Sequence, residues 1–324
     1  MKALVRSKYG PPELLQLVEQ ERPLPRDDEV LIKIHATTVN RTDCALQRAE
    51  PFVSRFFTGI LRPKKKIPGT EFAGIIEASG KDVTSFEPYD RVFGFDDSGF
   101  GSHAEYKTIS EDEGVAKIPE DLSYEEAAPS TEGAHYAINF INKVELEKGQ
   151  KAIVNGATGA IGSAAVQLLK YYGVEVNATC NTKNIELVKS LGASKVIDYT
   201  KEDFTRIDDK YDYVFDTVGK SSFNKCRSLL LPGGVYISSD LGLYSQNLFL
   251  PLITKITGNR KVKFPLPRDI RGSVNLIKKL TEEGRFKAVI DRIYPFEEII
   301  EAYKYVETGE KTGNVVITMG DNKS

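Results

Sequence analysis

Along the first third of the chain, apolar and polar residues alternate with the two-residue period of strands. Leu31-Ile32-Lys33-Ile34-His35-Ala36 carries that period, Phe72 to Ala78 is a run interrupted by Gly74, and Asp90 to Phe95 is another, each bounded by turn residues. Met1-Lys2-Ala3-Leu4-Val5 also reads as a strand, which leaves no room for a signal peptide. The pattern predicts a β-rich segment from Met1 to about Lys117. Asn40 to Pro63 breaks it, because Phe52, Phe56, Phe57, Ile60 and Leu61 cluster there without alternation. That stretch reads as a loop with one or two helical turns, its aromatics either core or the lining of a hydrophobic mouth.

The period changes near Ile118 to Ser123. Ser123 and Glu126 stand three apart, the spacing at which hydroxyl and carboxylate each satisfy a free amide of a starting helix, and helices are expected from there toward Val144. Strands then alternate with helices. Ala152 to Val154, Val174 to Thr179, Lys195 to Tyr199, Tyr211 to Asp216 and Gly234 to Ser238 are strand-like, with helical spacing from Ile161 to Tyr172 and a helix from Asn184 to Leu191 closed by Gly192. This predicts a parallel sheet covered on both faces. Leu248-Phe249-Leu250-Pro251-Leu252-Ile253 fits neither pattern and is too apolar to stay wet, so it is expected to be a lid or a subunit contact. Asn275 to Leu280 and Glu297 to Val306 read as helices, Val315 to Thr318 as a strand and Gly320 to Ser324 as a loose tail.

Between the strand at Ala152 to Val154 and the helix after it lies Asn155-Gly156-Ala157-Thr158-Gly159-Ala160-Ile161-Gly162. Glycines let the backbone turn sharply there, and the free N–H groups of the helix start, at the positive end of its dipole, make an anion site. Ala157-x-Gly159-x-x-Gly162 is a dinucleotide fingerprint with alanine at its first position, and the surrounding strand and helix alternation puts it where a doubly wound fold needs it. An acid at the end of the second strand would select the free ribose 2′-hydroxyl of NAD. Thr179-Cys180-Asn181-Thr182-Lys183 holds none, and Glu175 lies too early. Lys183 supplies charge for a 2′-phosphate, with Asn181 and Thr182 as hydrogen-bond donors, so NADPH is the expected cofactor.

Charge and composition narrow the classes. With 40% apolar and 28% charged residues and a net charge of −2, bulk electrostatics indicate neither a nucleic acid nor an anionic membrane surface as partner. No stretch is long and apolar enough to span a bilayer, so a cytoplasmic protein is expected. The dense basic run Arg62-Pro63-Lys64-Lys65-Lys66 reads as a solvated loop, with attraction of an anionic substrate or cofactor phosphate as the sharper alternative. Cys44, Cys180 and Cys226 form no disulfide framework, and His35, His103 and His135 are not at metal-ligand spacing, so no metal site is expected.

The chain resembles the medium-chain dehydrogenase/reductases, and within them the zinc-independent quinone oxidoreductase-like branch. The resemblance rests on Val39 to Asp43, Pro68 to Gly74, Gly99 to Tyr106, the Ala157 to Gly162 turn, Tyr211 to Gly219, Leu231 to Gly234 and Tyr294 to Glu298. It implies a GroES-like β-rich catalytic domain plus a Rossmann cofactor domain, divided as residues 1–122, 123–265 and, returning to the catalytic domain, 266–324. Zinc-dependent members carry a cysteine where this chain has Asn40 and a histidine where it has Thr70, so ordinary zinc alkoxide chemistry is not expected. The resemblance implies hydride transfer from NADPH to a quinone or an α,β-unsaturated carbonyl. By it Asn40 lies beside the nicotinamide and holds the substrate carbonyl, the alternative being a turn residue that bonds its own backbone. By it, too, Thr158, Gly159, Ala160 and Ile161 wrap the pyrophosphate, Asn181, Thr182 and Lys183 the 2′-phosphate, and Tyr199 the adenine end, with Val218 and Lys311 as further cofactor contacts. Many relatives carry a tyrosine where this chain has Ala45, which leaves the proton donor unnamed and points to solvent. Two other readings stay open: an enoyl-thioester reductase using Lys64 to Lys66, and a non-catalytic NADPH-binding structural or regulatory protein. A homodimer fits relatives of this kind.

Overall fold

The computed structural model describes residues 1–320. The chain divides into two compact units, Met1–Glu132 together with the chain from Asp269 on, and Gly133–Arg268. In chain order, β1 (Lys2–Arg6), β2 (Leu15–Glu19) and β3 (Glu29–Val39) lead to α1 (Arg41–Arg48) and α2 (Arg55–Thr58). Then come β4 (Glu71–Ser79), β5 (Arg91–Phe95), β6 (Tyr106–Ser110), β7 (Val115–Lys117), α3 (Tyr124–Ala127) and α4 (Glu132–Ile141). The middle of the chain supplies β8 (Lys151–Asn155), α5 (Ala160–Tyr171), β9 (Glu175–Cys180), α6 (Ile185–Ser190), β10 (Lys195–Asp198) and β11 (Tyr211–Asp216), followed by α7 (Phe223–Cys226), β12 (Leu230–Ser238), α8 (Gln246–Thr257) and β13 (Lys261–Lys263). The chain closes through α9 (Ile270–Glu282), β14 (Ile290–Pro295), α10 (Ile299–Thr308) and β15 (Asn314–Thr318).

The first unit is a GroES-like, β-rich body. Its main sheet runs β14-β15-β3-β4-β5-β7, with β6 also paired to β3. β3 is the long central strand, and Val30, Ile32 and Ile34 on it pack with Phe72, Ile76 and Val92. β15 returns from the far end of the sequence to pair antiparallel with β3, Val315 opposite Val39, so that Val39, Cys44, Tyr303, Val315 and Ile317 share one core. The compositional shift at 118–123 precedes the observed division at 132, because α3 packs against β3 and β4 and stays with this unit. The stretch Asn40 to Pro63, expected as a loop with one or two helical turns, holds helix α1, capped reciprocally by Asn40 and Asp43 with Cys44 and Gln47 buried on it, and the single turn of α2. Phe52, Phe56, Ile60 and Leu61 are exposed and do not pack as core. Ser123 and Glu126 form the expected capping box. Of the expected tail, residues 321–324 lie outside the described residues.

The second unit is a Rossmann-type parallel sheet in the order β10-β9-β8-β11-β12-β13, with every pairing parallel. Chain order runs one way from β8 to β10 and the other way from β11 to β13, so β8 and β11 flank the topological switch point, where such sheets bind ligands at their carboxyl ends. Ala152, Ile153 and Val154 are fully buried, and Ala164, Ala165, Leu168 and Leu169 give α5 the apolar stripe its spacing predicts. Leu248 to Ile253, expected as a lid or contact, lies in helix α8.

Candidate functional site

At the end of β8 the backbone turns through Gly156, whose φ of +85° favours glycine. A Cβ there would sit 2.4 Å from Val218 Cγ1. The left-handed position thus falls one residue before Ala157, which is why alanine fits the first place of the fingerprint. Gly162 serves close approach, since a Cβ on it would lie 2.1 Å from the Gly156 carbonyl oxygen. Gly159 begins α5 in extended backbone without any side-chain cap, and Ala160 and Ile161 form the first turn. The Gly159 amide donates to the Gly156 carbonyl at 3.1 Å, and a side chain at Gly159 would meet nothing closer than that oxygen at 3.7 Å, so the approach to the first-turn amides of Ala160 and Ile161 is open.

A buried polar ladder holds the turn from below. The Gly156 amide donates to Thr179 Oγ1 at 3.0 Å, Thr179 Oγ1 donates to Asn155 Oδ1 at 2.7 Å, and Asn155 Nδ2 donates to Asp216 Oδ1 at 2.9 Å. Asp216 Oδ2 accepts from the Tyr236 hydroxyl at 3.1 Å and the Ser221 amide at 2.9 Å. The ladder ties together the carboxyl ends of four adjacent strands. Thr158 sits partly exposed in the turn above it, and Val218 packs beside Gly156.

Asn181, Thr182 and Lys183 follow β9. Lys183 is exposed, and Asn181 Oδ1 is buried without a hydrogen-bond partner. The register of β10 on β9 sets Asp198 opposite Cys180, which brings in a carboxylate that the residues 179–183 do not contain. Thr182 Oγ1 donates to Asp198 Oδ2 at 2.5 Å, the Thr200 hydroxyl and amide donate to Oδ1 at 2.7 and 3.0 Å, and Lys201 Nζ lies 3.5 Å from Oδ2. The Thr182 hydrogen bond, followed by those of Thr200, draws the Asp198 carboxyl down to about 2. The Thr182 hydroxyl proton is thus engaged by Asp198, whereas Lys183 extends from an exposed position. Tyr199 is half exposed next to Asp198 and, with Lys201 and Phe204, lines an open cleft of about 350 Å³.

In the first unit Asn40 caps α1. Its Oδ1 accepts from the Asp43 amide at 2.8 Å, Asp43 Oδ2 accepts from the Asn40 amide at 3.1 Å, and Asn40 Nδ2 donates to Thr70 Oγ1 at 3.0 Å. The side chain bonds nearby backbone and still presents a second N–H. Burial pushes the Asp43 carboxyl up to about 7. His103 donates through Nε2 to the Thr38 carbonyl at 2.7 Å and accepts through Nδ1 from the Tyr303 hydroxyl at 3.2 Å, and burial pulls its imidazole down to about 4, so the ring is neutral at pH 7.

Two buried acids nearby escaped the sequence reading. Glu71 accepts from Thr38 Oγ1 at 2.5 Å, Thr131 Oγ1 at 2.9 Å and the Glu132 amide at 2.7 Å. Glu132 is buried with Oε1 unpartnered, and desolvation raises its carboxyl well above the usual range. Glu71 opens an apolar strand and Glu132 opens a helix, where acids are ordinary, so neither stood out. Lys311 belongs to this first unit, whereas all the other expected cofactor contacts belong to the second. Its Nζ donates to the Gly313 carbonyl at 2.5 Å, and burial lowers the ammonium pKa against the opposing pull of Glu132 and Glu71.

The donor set does not suit zinc. Asn40 and Thr70 form an amide–hydroxyl pair, both ring nitrogens of His103 are engaged, and burial pushes the Cys44 thiol up so that it stays protonated. Among the described residues no three His, Cys, Asp or Glu gather to hold a metal ion.

A GroES-like unit and a Rossmann unit in one chain define a two-unit dehydrogenase/reductase. The alcohol dehydrogenase GroES-like domain model matches residues 26–120, and the zinc-binding dehydrogenase domain model matches residues 191–317. A 2-methylene-furan-3-one reductase of Solanum lycopersicum is 32% identical over 98% of this chain and 79% of its own length. An NADPH-dependent alkenal/one oxidoreductase, chloroplastic, of Arabidopsis thaliana is 30% identical over the same shares. The solved structure of the quinone oxidoreductase from Coxiella burnetii is 27% identical with a TM-score of 0.87, covering 98% of this chain and 99% of that one. The chain belongs to the medium-chain dehydrogenase/reductase family, in its quinone oxidoreductase-like branch.

Proposed function

We propose that this protein is an enzyme that reduces a quinone or an α,β-unsaturated carbonyl with NADPH, without a metal ion. The observation that carries the cofactor half is the uncapped start of α5 at Gly159, set over the ladder from Thr179 to Tyr236. A helix start of this kind, with no side-chain cap, favours a phosphate. The acceptor half is supported by the names of the enone, alkenal and quinone reductases to which the chain is similar. When bound, NADPH supplies the hydride. Thr158, Gly159, Ala160 and Ile161 hold its pyrophosphate, Val218 backs the turn, Asn181 and Lys183 take the 2′-phosphate, and Tyr199 covers the adenine end. Asn40 offers its remaining N–H to the acceptor carbonyl, and Lys311 is the one cofactor contact assigned to the first unit. The amide and hydroxyl at positions 40 and 70 support a reaction free of zinc. Among the described residues no helix is long and apolar enough to cross a membrane. The proposal includes a homodimer and a cytoplasmic location, which light scattering and cell fractionation test.

The deciding assay follows consumption of NADPH, with NADH in parallel, against an ortho-quinone, a medium-chain enal and an enoyl thioester, with each product identified. A saturated aldehyde from the enal makes the protein a double-bond reductase, and turnover of the quinone alone makes it a quinone reductase. Turnover of the thioester alone, or of none of the three, overturns the proposal.

A further inference from the structure

Reduction of a carbonyl acceptor consumes a proton as well as a hydride, and Ala45 has none to give. The buried acids beside Asn40 do. Asn40 Nδ2 reaches Thr70 Oγ1 at 3.0 Å, and Glu71, the next residue and the first of β4, accepts the Glu132 amide at 2.7 Å. From another side Thr42, in the first turn of the helix that Asn40 caps, brings its hydroxyl to the Glu132 carboxyl. Two separate elements, β4 and α1, thus converge on Glu132 within the first unit, and both lead back to Asn40.

Glu71 and Glu132 differ in their surroundings. Glu71 Oε1 accepts from the Thr131 amide at 3.3 Å, the Thr131 hydroxyl at 2.9 Å and the Glu132 amide at 2.7 Å, and its Oε2 accepts from the Thr38 hydroxyl at 2.5 Å. All four are donors, so Glu71 is the ionised member of the pair. Glu132 is 5% exposed, and its Oε1 has no hydrogen-bond partner. Burial first, and then the charge on Glu71, raises its carboxyl well above the usual range. Asp43 on α1 acts in the same direction, while the Thr42 hydroxyl and Lys311, ahead of β15, oppose it. Neighbouring carboxyls whose surroundings push them apart divide into a fixed charge and an acid. An acid with a purely structural role has its oxygens tied, whereas Glu132 Oε1 is left over.

We infer that Glu132 is the general acid of the reaction and gives its proton to the acceptor oxygen held at Asn40; this rests on the reduction proposed above. As an acceptor takes the hydride of NADPH, an electron pair gathers on its carbonyl oxygen. That oxygen bonds to the Glu132 proton, the O–H bond of the carboxyl breaks, and its electron pair stays on the carboxylate. An enal becomes an enol, which rearranges to the saturated aldehyde, and in a quinone the hydride and the proton end on the two oxygens of the hydroquinone. The Thr42 hydroxyl and the Lys311 ammonium steady the Glu132 carboxylate until solvent returns a proton after the product has left. One NADPH and one proton are consumed for each acceptor. Glu132 thereby replaces solvent as the expected proton source.

Steady-state reduction of an ortho-quinone and a medium-chain enal by the full chain between pH 6 and 10 tests the assignment, with NADPH affinity measured separately by fluorescence. Wild-type kcat is expected to fall about tenfold per pH unit on the alkaline side, where Glu132 has lost its proton before turnover. Glu132→Gln keeps the shape, binds NADPH as wild type does, lowers kcat by about 100-fold and loses the alkaline limb. Glu132→Asp regains part of the rate together with the pH dependence, which a structural role does not predict. Turnover by Glu132→Gln within about threefold of wild type, or with the alkaline limb intact, overturns the inference and leaves the reductase reading standing. Loss of NADPH binding or of helical circular dichroism in both variants makes Glu132 structural and overturns it too. Absence of turnover by the wild-type chain overturns the reductase reading and this inference with it.

Discussion

Asn155 and Asp216 meet across the two central strands of the parallel sheet, the amide of one donating to the carboxylate of the other at 2.9 Å. Asp216 also takes the Tyr236 hydroxyl and the Ser221 amide, so Asp216→Ala leaves three donors unpaired beneath the glycine turn. The expected loss is about 3 kcal/mol in urea denaturation, with Asp216→Asn retaining part of it.

Two glycines in the turn separate folding from binding. Gly162→Ala drives a methyl group into the Gly156 carbonyl and is expected to cost about 1–3 kcal/mol of stability. Gly159→Ala meets open space at a φ of −74° that alanine accepts, so thermal unfolding stays within a degree or so of wild type. NADPH affinity measured by fluorescence nevertheless falls by about tenfold or more, as the methyl group occupies the approach to the helix amides.

Cofactor choice is read from Lys183 and Asp198 together. Lys183→Glu is expected to abolish the preference for NADPH, a change of about 10- to 100-fold in the ratio of kcat/KM values for NADPH and NADH. Asp198→Asn shifts the ratio the other way by removing a carboxylate beside the same pocket. An unchanged ratio in Lys183→Glu would show that the end of β9 does not read the 2′ position.

Asp43 sets a pH dependence of stability. Its folded carboxyl sits near 7, above the usual carboxylate value, so the native state holds a proton that the unfolded chain has released. Stability contributed by Asp43 is present at about pH 4 and is lost as pH rises through 7. His103, held neutral with its imidazole near 4, acts in the opposite sense, and its share is lost as pH falls below about 6.5. Arg6, Glu71, Glu132, Cys44, Tyr303 and His103 are charged or titratable groups that act on Asp43. In Asp43→Asn the amide oxygen still accepts from Asn40, so urea midpoints measured between pH 4.5 and 7.5 lose the Asp43 slope, and the gain at neutral pH is up to about 4 kcal/mol.

Metal removal is expected to leave activity unchanged. Treatment with a strong zinc chelator followed by the NADPH assay checks this, and loss of turnover restored by zinc would contradict the reading of Asn40 and Thr70.

The parallel unit was legible because its signals are local. Strand spacing, the Gly156 to Gly162 turn and the stripe from Ala164 to Leu169 sit within a few residues of one another, and the capping box at Ser123 and Glu126 is local too. What stayed hidden depended on register between distant strands. Asp198 reaches Thr182 only because β10 pairs with β9 in one particular alignment, and Glu71 meets Thr131 and Glu132 across sixty or so positions of sequence. The helical form of α8 was hidden for another reason: the rotation that buries Asn247 and Thr254 and leaves Leu252 and Ile256 exposed rests on bonds to the Asp240 carbonyl and the Val262 amide that no local spacing announces.

The position of β15 between β14 and β3 also bears on the order of synthesis. Residues 133–268 form a continuous unit, complete as soon as they leave a ribosome, but β3 cannot gain its neighbour β15 until Asn314–Thr318 have been made. Until then the Ala36–Val39 half of one edge of β3 has no strand beside it, since β6 covers only Glu29–Lys33 on that side and β4 holds the other, and this short open edge is the liability of the unfinished polypeptide.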